Sequence, residues 1–323
     1  MQSRISTTHG LPRNLVRRGL QHLGVILAVL WGAATITFVA VKLIPGDPVA
    51  ILTGGENVVD KAERAALIQQ YGLDQPLVVQ YARYLGSALA GHFGESYQYR
   101  QPVIDVIFEA AVPTLQLASG AIFLALCLAI INALSTADRG KGLRTFVSGL
   151  ELCLLSTPIY WIGIALLTLF SFRLHWFPVI GNYGLAALVL PTIVLSLPLA
   201  ALLSQVLRDG LEEALSQPFA LTVRTRGVSE SALRLRHGLR HAALAASTLT
   251  GTMLASILGG SILTETVFGR SGIGQITLQA IKTRDMPLVL GLVMISALVF
   301  VIINQLVDAL YLVIDPRLRR ARA

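Results

Sequence analysis

The 323-residue chain is too apolar and too poor in charge for a soluble protein, because 54% of its residues are hydrophobic and 14% are charged. Soluble domains carry roughly 25% charged residues. The length leaves room for about six to eight helices that each cross a bilayer. The net charge of +8 does not indicate nucleic-acid binding, since Lys and Arg of membrane proteins collect in cytoplasmic loops.

The chain begins with a basic segment over 1–22, which we predict to be cytoplasmic. The apolar run that follows predicts a first transmembrane helix over 23–44. This run is too long for the apolar part of a cleaved signal peptide, and no A-x-A-like cleavage site follows it. We therefore expect the first helix to remain as a membrane anchor.

Residues 45–108 predict an extracytoplasmic module in which acidic side chains outnumber basic ones. The stretch "DKAERAALIQQYG" over 60–72 indicates an amphipathic helix that ends at Gly72. A second helix is indicated by "LVVQYARYLGSAL" over 77–89.

Residues 109–314 contain the remaining apolar stretches, which predict five more transmembrane helices. The positive charges gather in four segments, and these lie on one side of the membrane if there are six spans. Both termini are then cytoplasmic, and the expected fold is an all-α membrane protein with six transmembrane helices. The apolar stretches lie at 110–136, 152–172, 185–207, 242–264 and 287–307, and the basic segments are 1–22, 137–145, 208–241 and the tail 315–323.

Small residues recur at every fourth position of the apolar stretch over 242–264, at Gly251, Ala255 and Gly259. This spacing lets two helices approach closely within a membrane. The pattern is equally compatible with packing inside this chain and with packing against a partner subunit.

The sequence offers no site for nucleotide or metal chemistry, so we predict no cofactor in this chain. It has no G-x-x-x-x-G-K-[ST] motif, and the glycine-rich "FGRSGIGQIT" over 268–277 follows an apolar helix rather than a strand. A turn that re-enters the membrane accounts for it better. His237 and His241 are four residues apart, but neither H-E-x-x-H nor a third ligand accompanies them, which favours two solvated histidines.

No catalytic residues are predicted either, since no G-x-S-x-G motif or plausible triad is present. Acidic residues are absent from the middle of the predicted spans. An ion-coupled carrier would hold such residues near the midplane of the membrane, so this class is disfavoured.

The interval "LTVRTRGVSESALRLRHGLRHAAL" over 221–244 carries five arginines. Each would cost about 2.5–3.5 kcal/mol at the centre of a spanning helix, so the interval lies outside the bilayer. Its pattern predicts a helix from about Glu212 to Arg226, a break at Gly227 and a second helix that starts at Ser229. Periodicity alone leaves open whether the interval binds anionic lipid or a protein groove.

The same interval, extended to "QPFALTVRTRGVSESALRLRHGLRHAAL", resembles the cytoplasmic EAA loop of binding-protein-dependent ABC importers for dipeptides, oligopeptides and nickel. The segments "IPGDPVA", "YGLDQPLVVQYARYL", "GHFGESYQYRQPVIDVI" and "VDALYLVIDPRLR" resemble the first permease subunit of that family, in order and over essentially the whole chain. The chain departs from the general motif at Leu221, which replaces the leading Glu, and at Ala245, which replaces a late Pro.

The resemblance implies a type I ABC importer fold with the extracytoplasmic module inserted between helices 1 and 2. It implies a permease subunit, not an enzyme, in the plasma membrane of a prokaryote, which is the inner membrane of a Gram-negative cell. The implied partners are a homologous second permease, two ATPase subunits that bind ATP and Mg, an extracytoplasmic solute-binding protein and membrane lipid.

The resemblance also assigns roles to residues. Residues 212–228 would form the coupling helix that sits in a groove of one ATPase. The cargo would be a small peptide-like solute, or alternatively nickel or a metal chelate. A stand-alone channel or carrier with a lipid-binding basic loop is the alternative from another class. The implied ATPase-coupling residues are Phe219, Thr222, Arg224, Arg226, Gly227 and Arg236.

Overall fold

The computed structural model describes residues 13–43, 49, 61–72, 74–138, 140–181 and 184–314. These residues are helical apart from short loops and a bridge between Glu95 and Pro102. The helices are α1 (Arg13–Leu43), α2 (Lys61–Tyr71), α3 (Leu77–Leu89), α4 (Val103–Thr136), α5 (Lys141–Ser156), α6 (Ile159–Leu166) with a π-helical continuation (Leu167–Arg173), α7 (Ala186–Ser216), α8 (Pro218–Thr225), α9 (Glu230–Ala232) with a π-helical continuation (Leu233–Gly238), α10 (Leu239–Val267), α11 (Ile273–Thr283) and α12 (Met286–Ile314).

Contacts divide the chain into two compact units. The first unit contains the described residues up to Phe93 together with Val289–Val301. The second contains Gly94–Leu288 and the described residues from Ile302 onward. The loop that precedes α4 thus clusters with the helical core, although the sequence assigned it to the extracytoplasmic module over 45–108.

Within the first unit, aromatic and polar contacts join α1 to α3. Thr35 Oγ1 and the Tyr81 hydroxyl share a hydrogen bond of 2.6 Å, and the Phe38 ring lies 5.2 Å from that of Tyr81 and 5.8 Å from that of Tyr84. Both helices predicted for the extracytoplasmic module are confirmed. The first ends before Gly72, whose φ of 60° stops it, and the second has the predicted bounds.

The core of the second unit is built from α4, α7 and α10, and small residues let these helices approach closely. Four alanines of α4, spaced every fourth residue, are each at most 1% exposed and face this core. A Cβ added to Gly210 of α7 would lie only 3.0 Å from Cα of Ala242 in α10. Close backbone approach of this kind is how helices pack in a membrane. The alanines are Ala121, Ala125, Ala129 and Ala133.

The predicted span over 152–172 is not one helix, which corrects the sequence interpretation. α5 ends at Ser156, and the segment from Ile159 runs at 103° to it. Pro158 causes the break, because a residue before proline is pushed out of the helical region, and Thr157 accordingly has a ψ of 126°. The predicted apolar run therefore combines the end of one helix with the start of another.

Three helices of the described chain are long and apolar enough to cross a membrane: Val103–Thr136, Ala186–Ser216 and Met286–Leu306. The bent pair of α5 and α6 raises the number to four if it forms one span. The basic residues Arg13, Arg17 and Arg18 belong to α1, so this helix begins ten residues earlier than the predicted span. The count of six spans and the cytoplasmic position of both termini stay predictions, and the tail over 315–323 lies outside the described residues.

Candidate functional site

The helix predicted from Glu212 to Arg226 is two helices in the structure. α7 continues to Ser216, and the backbone turns at Gln217, which has a ψ of 151°. Pro218 follows and occupies the first turn of α8, where its missing N–H is not needed. The predicted coupling helix over 212–228 is therefore not continuous. The first turn of the predicted helix belongs to α7, and Pro218–Thr225 forms α8.

The predicted turn after α8 is confirmed. Gly227 has a φ of 77°, in the left-handed region that favours glycine. Ser229 caps the next helix, since its side chain accepts a hydrogen bond from the Ala232 N–H at 3.3 Å. α8 is thus a short helix with a defined stop at each end.

Phe219 anchors α8 to its own chain. The ring is half-buried against a cluster formed by Leu215, Ala220 and Leu233, which are at most 7% exposed. It also stacks on the imidazole of His241, with ring centroids 4.9 Å apart. The side chain that the resemblance assigns to ATPase contact therefore packs inward in this chain.

The outward face of α8 carries an apolar side chain that the sequence interpretation treated only as a departure from the motif. Leu221 is 65% exposed. Thr222, Thr225 and Arg226 are exposed beside it. The face combines one large apolar group with hydroxyls and a cation, which suits a protein groove with an acidic rim.

Arg224 does not point freely outward but bridges the turn at Gly227. Its Nε lies 2.7 Å from Glu230 Oε1, and its Nη2 lies 3.2 Å from Oε2. This two-point hydrogen bond lowers the pKa of Glu230, so both groups are charged at neutral pH. Arg236, the remaining predicted coupling residue, is exposed on the π-helical segment that follows α9.

A buried polar cluster joins α7 to α4 and α5, and the sequence interpretation missed it. Arg208 of α7 donates to Glu151 Oε1 of α5 at 2.5 Å and to Thr136 Oγ1 of α4 at 2.7 Å. Ser148 and Ser204 complete the cluster, since Ser148 accepts from Arg208 and Ser204 donates to Glu151. One guanidinium therefore joins three helices.

The glycine-rich segment over 268–277 forms a turn that leads into α11, and a buried carboxylate holds it. Glu265 is 0% exposed, and its Oε2 accepts hydrogen bonds from the N–H groups of Gly274 at 2.7 Å and Gln275 at 3.2 Å. Thr114 of α4 donates to Glu265 Oε1 at 2.6 Å and accepts from the Ile273 N–H at 2.8 Å. The N-terminus of α11 is thereby satisfied inside the protein.

The predicted helix-packing residues lie along α10. Gly259 is exposed, and a Cβ added there would meet nothing within 4 Å. At Gly251 and Ala255 the structure describes the helical backbone, and the surroundings of these two residues lie outside the described part. The choice between packing inside the chain and packing on a partner stays open.

Among the described residues, no group of three His, Cys, Asp or Glu side chains is placed to hold an ion, and the absence of a metal site stays a prediction. His241 stacks on Phe219, and His237 is exposed.

Comparison with known proteins decides the family. The model of the family described as the binding-protein-dependent transport system inner membrane component matches residues 121–320, and the model of the N-terminal part of such components matches residues 11–118. The chain belongs to this family. It is a permease subunit of an ABC importer and lies in the inner membrane. It is not itself an enzyme, and it works with ATPase and binding-protein partners.

Two relatives at 34% identity support the same assignment. The glutathione transport system permease protein GsiC of Salmonella paratyphi A is 34% identical over 307 residues, which are 93% of this chain and 98% of that protein. A Brucella abortus protein named as a peptide transport system permease is 34% identical over 314 residues, which are 94% of this chain and 98% of its own. A solved inward-facing MetNI methionine ABC transporter aligns with a TM-score of 0.49 at 16% identity, over 66% of this chain and 96% of that one.

Proposed function

We propose that this permease forms half of a translocation pathway for a small peptide-like solute, beside a homologous second permease. A solute-binding protein delivers the cargo, and two ATPase subunits that bind ATP and Mg supply the energy. The relatives named for glutathione and for peptides support this cargo class, since both match over almost their entire length. This chain itself binds no nucleotide in the proposal.

The two-faced geometry of α8 carries the coupling part of the proposal. Phe219 fixes the helix to the chain from inside, while Leu221 and Arg226 face outward. A partner that covers Leu221 removes its apolar surface from water, which favours association, and Arg226 adds a charge that an acidic partner can pair. α8 therefore docks into an ATPase through Leu221 rather than through Phe219.

The helices connected to α8 provide a route for movement. α8 follows α7 after a single non-helical residue, Gln217. α7 is in turn tied to α4 and α5 by the Arg208 cluster. When ATP draws the ATPases together, the displacement of α8 favours one of two packed arrangements of these helices, which is how an effector shifts a conformational equilibrium.

Introduction of a charge at the apolar contact tests the docking. In cells that express all importer subunits, Leu221→Arg should abolish co-purification of the ATPases with the permease, because a buried unpaired charge opposes binding. Leu235→Arg is the matched control, since Leu235 is 55% exposed in the same interval but lies outside α8. Normal ATPase recovery with Leu221→Arg would refute the docking through this residue.

The cargo is tested separately. The solute-binding protein encoded beside this permease should be purified without denaturation, and its bound ligand should be identified by mass spectrometry. A peptide or a peptide-like thiol supports the proposal. A nickel ion or a metal chelate would show that the proposed cargo class is wrong, but it would not affect the assignment as an importer.

A further inference from the structure

An open cleft of about 570 Å³ lies within the second unit, at the predicted outer end of the helices. It is bordered by the loop before α4, the first turns of α4 and the helix α11. Its volume falls in the range of about 300–1,000 Å³ that small-molecule sites occupy. Four glutamines line it, two from the loop and two from α11: Gln98, Gln101, Gln275 and Gln279.

The charge in the cleft is negative. Glu109 of α4 lines it, and none of the described residues that line it is basic. Val106, Ala110 and Ile276 form an apolar floor and are at most 7% exposed. A cation with hydrogen-bonding groups and a modest apolar part fits such a lining better than an anion does.

The walls of the cleft are held in place. Asp285 accepts hydrogen bonds from the Ser96 hydroxyl at 2.5 Å and from the Gln98 N–H at 3.0 Å, which fixes the loop that carries two of the glutamines. Asp285 also accepts from the Leu288 N–H at 3.2 Å at the start of α12. The carboxylate is fully buried, so this support is shielded from water.

The N-terminus of α11 contributes no anion site to the cleft. The N–H groups of Gly274 and Gln275 already donate to the buried carboxylate of Glu265. The Ile273 N–H donates to Thr114. The positive end of the helix is thus compensated before a solute arrives, and Glu109 sets the charge of the cleft.

We propose that this cleft is a subsite for the free amino terminus of a peptide-like solute, in which Glu109 pairs with the ammonium group. The glutamine side chains each offer a donor and an acceptor, which matches the N–H and C=O groups of a peptide backbone. The inference rests on the proposed function, because it names the chemical group of the cargo that the permease recognises after the binding protein releases it.

Protection of an introduced cysteine tests the subsite in the complete importer, reconstituted in lipid nanodiscs without the binding protein. Cys127→Ala and Cys153→Ala remove the two native thiols, and Gln279→Cys places one thiol in the cleft. The probes are dialanine and N-acetyl-dialanine, and the readout is the rate of labelling by a membrane-impermeant maleimide. Dialanine at twice its Kd should slow labelling about threefold. N-acetyl-dialanine should not slow it.

Two matched variants separate the ammonium pairing from a general effect. Glu109→Gln should abolish the slowing by dialanine, whereas Glu95→Gln should keep it, because Glu95 is exposed in the same loop region but does not line the cleft. Gln75→Cys in the first unit should be labelled at the same rate with and without dialanine. Equal slowing by both probes, or slowing that survives Glu109→Gln, would overturn the assignment of the ammonium group.

The same preparation distinguishes failure of the subsite from failure of the proposed function. ATP hydrolysis is measured in parallel after the cargo-loaded binding protein is added. If hydrolysis is stimulated but dialanine gives no protection at Gln279→Cys, the subsite is wrong and the importer function stands. If the loaded binding protein does not stimulate hydrolysis, the proposed function fails first.

Discussion

Arg208 Nη2 lies 2.5 Å from Glu151 Oε1, and both side chains are 3% exposed. The same guanidinium donates from Nε to Thr136 and from Nη1 to Ser148. A buried ion pair gains little net free energy, because desolvation of two charges offsets their attraction. Its strict geometry does, however, fix how α4, α5 and α7 meet.

Removal of one partner of this pair should destabilise the protein strongly. Arg208→Met leaves the Glu151 carboxylate buried without its cation, which costs about 3–5 kcal/mol. Combining Arg208→Met with Glu151→Leu should recover most of the loss, since an apolar pair of similar volume is often neutral. Thermal unfolding of the purified importer measures both variants. A double variant no more stable than Arg208→Met would contradict the ion-pair account.

A methyl group at Gly274 should disturb the start of α11. The added Cβ would overlap the backbone of Ile262, which cannot rotate away, and would press on the Glu265 carboxylate. Overpacking at such a site costs about 1–3 kcal/mol or more. Gly86→Ala is the control, because a Cβ there meets nothing within 4 Å in the helix α3. Equal thermal stability of the two alanine variants would show that α11 shifts freely.

The local features of the fold were predictable because they depend on neighbours in sequence. The bounds of α3, the stop at Gly72, the break at Gly227 and the cap at Ser229 all follow from helix-terminating or capping chemistry within a few residues. The break at Pro158 was missed although its signal was present. Uniform hydropathy over 152–172 outweighed the single proline.

The buried polar groups could not be predicted, because their partners are distant in sequence. Glu151 and Arg208 stand at the edges of apolar stretches, where a charge usually marks the membrane surface. Glu265 likewise lies near the end of an apolar stretch, yet it is fully buried and is bound by Thr114 and by α11. The sequence offered one signal for the Arg208 cluster. Glu151 directly precedes one apolar stretch and Arg208 directly follows the next, so two opposite charges lie at the same end of neighbouring predicted helices.

The arginine-rich interval shows a different limit. Its motif assigns residues to a predicted coupling region, but it does not show which face of α8 each of them occupies. Helical spacing places Phe219 and Leu221 on different sides of the helix. Only packing against Leu215 and Leu233 decides that Phe219 is the inward one.

Truncation of these two side chains should therefore have opposite consequences. Phe219→Ala removes half-buried ring contacts and should lower the stability of the permease by about 2 kcal/mol. Leu221→Ala removes an exposed side chain and should leave thermal stability unchanged while weakening ATPase binding. Unfolding temperature and ATPase co-purification are compared for each variant. Loss of ATPase binding without loss of stability in Phe219→Ala would assign the docking contact to Phe219 instead.

The turn at Gly227 should control coupling through its backbone conformation rather than through steric contacts of the residue at this position. A Cβ at this position would meet nothing within 4 Å, so a clash is not the issue. The φ of 77° costs a β-branched residue about 1–2 kcal/mol, whereas asparagine tolerates the left-handed region. Gly227→Val should therefore rotate α8 away from the helix that begins at Glu230, and Gly227→Asn should not.

The two Gly227 variants are compared in proteoliposomes that contain the complete importer and its binding protein. With Gly227→Val, co-purification of the subunits should persist, but solute uptake and ATP hydrolysis stimulated by the loaded binding protein should both fall. Gly227→Asn should retain both activities, because its backbone keeps the turn and the Arg224–Glu230 pair across it. Normal stimulated hydrolysis with Gly227→Val would show that the turn plays no part in transmitting the movement of the ATPases, and the coupling role of α8 would then have to rest on Leu221 alone.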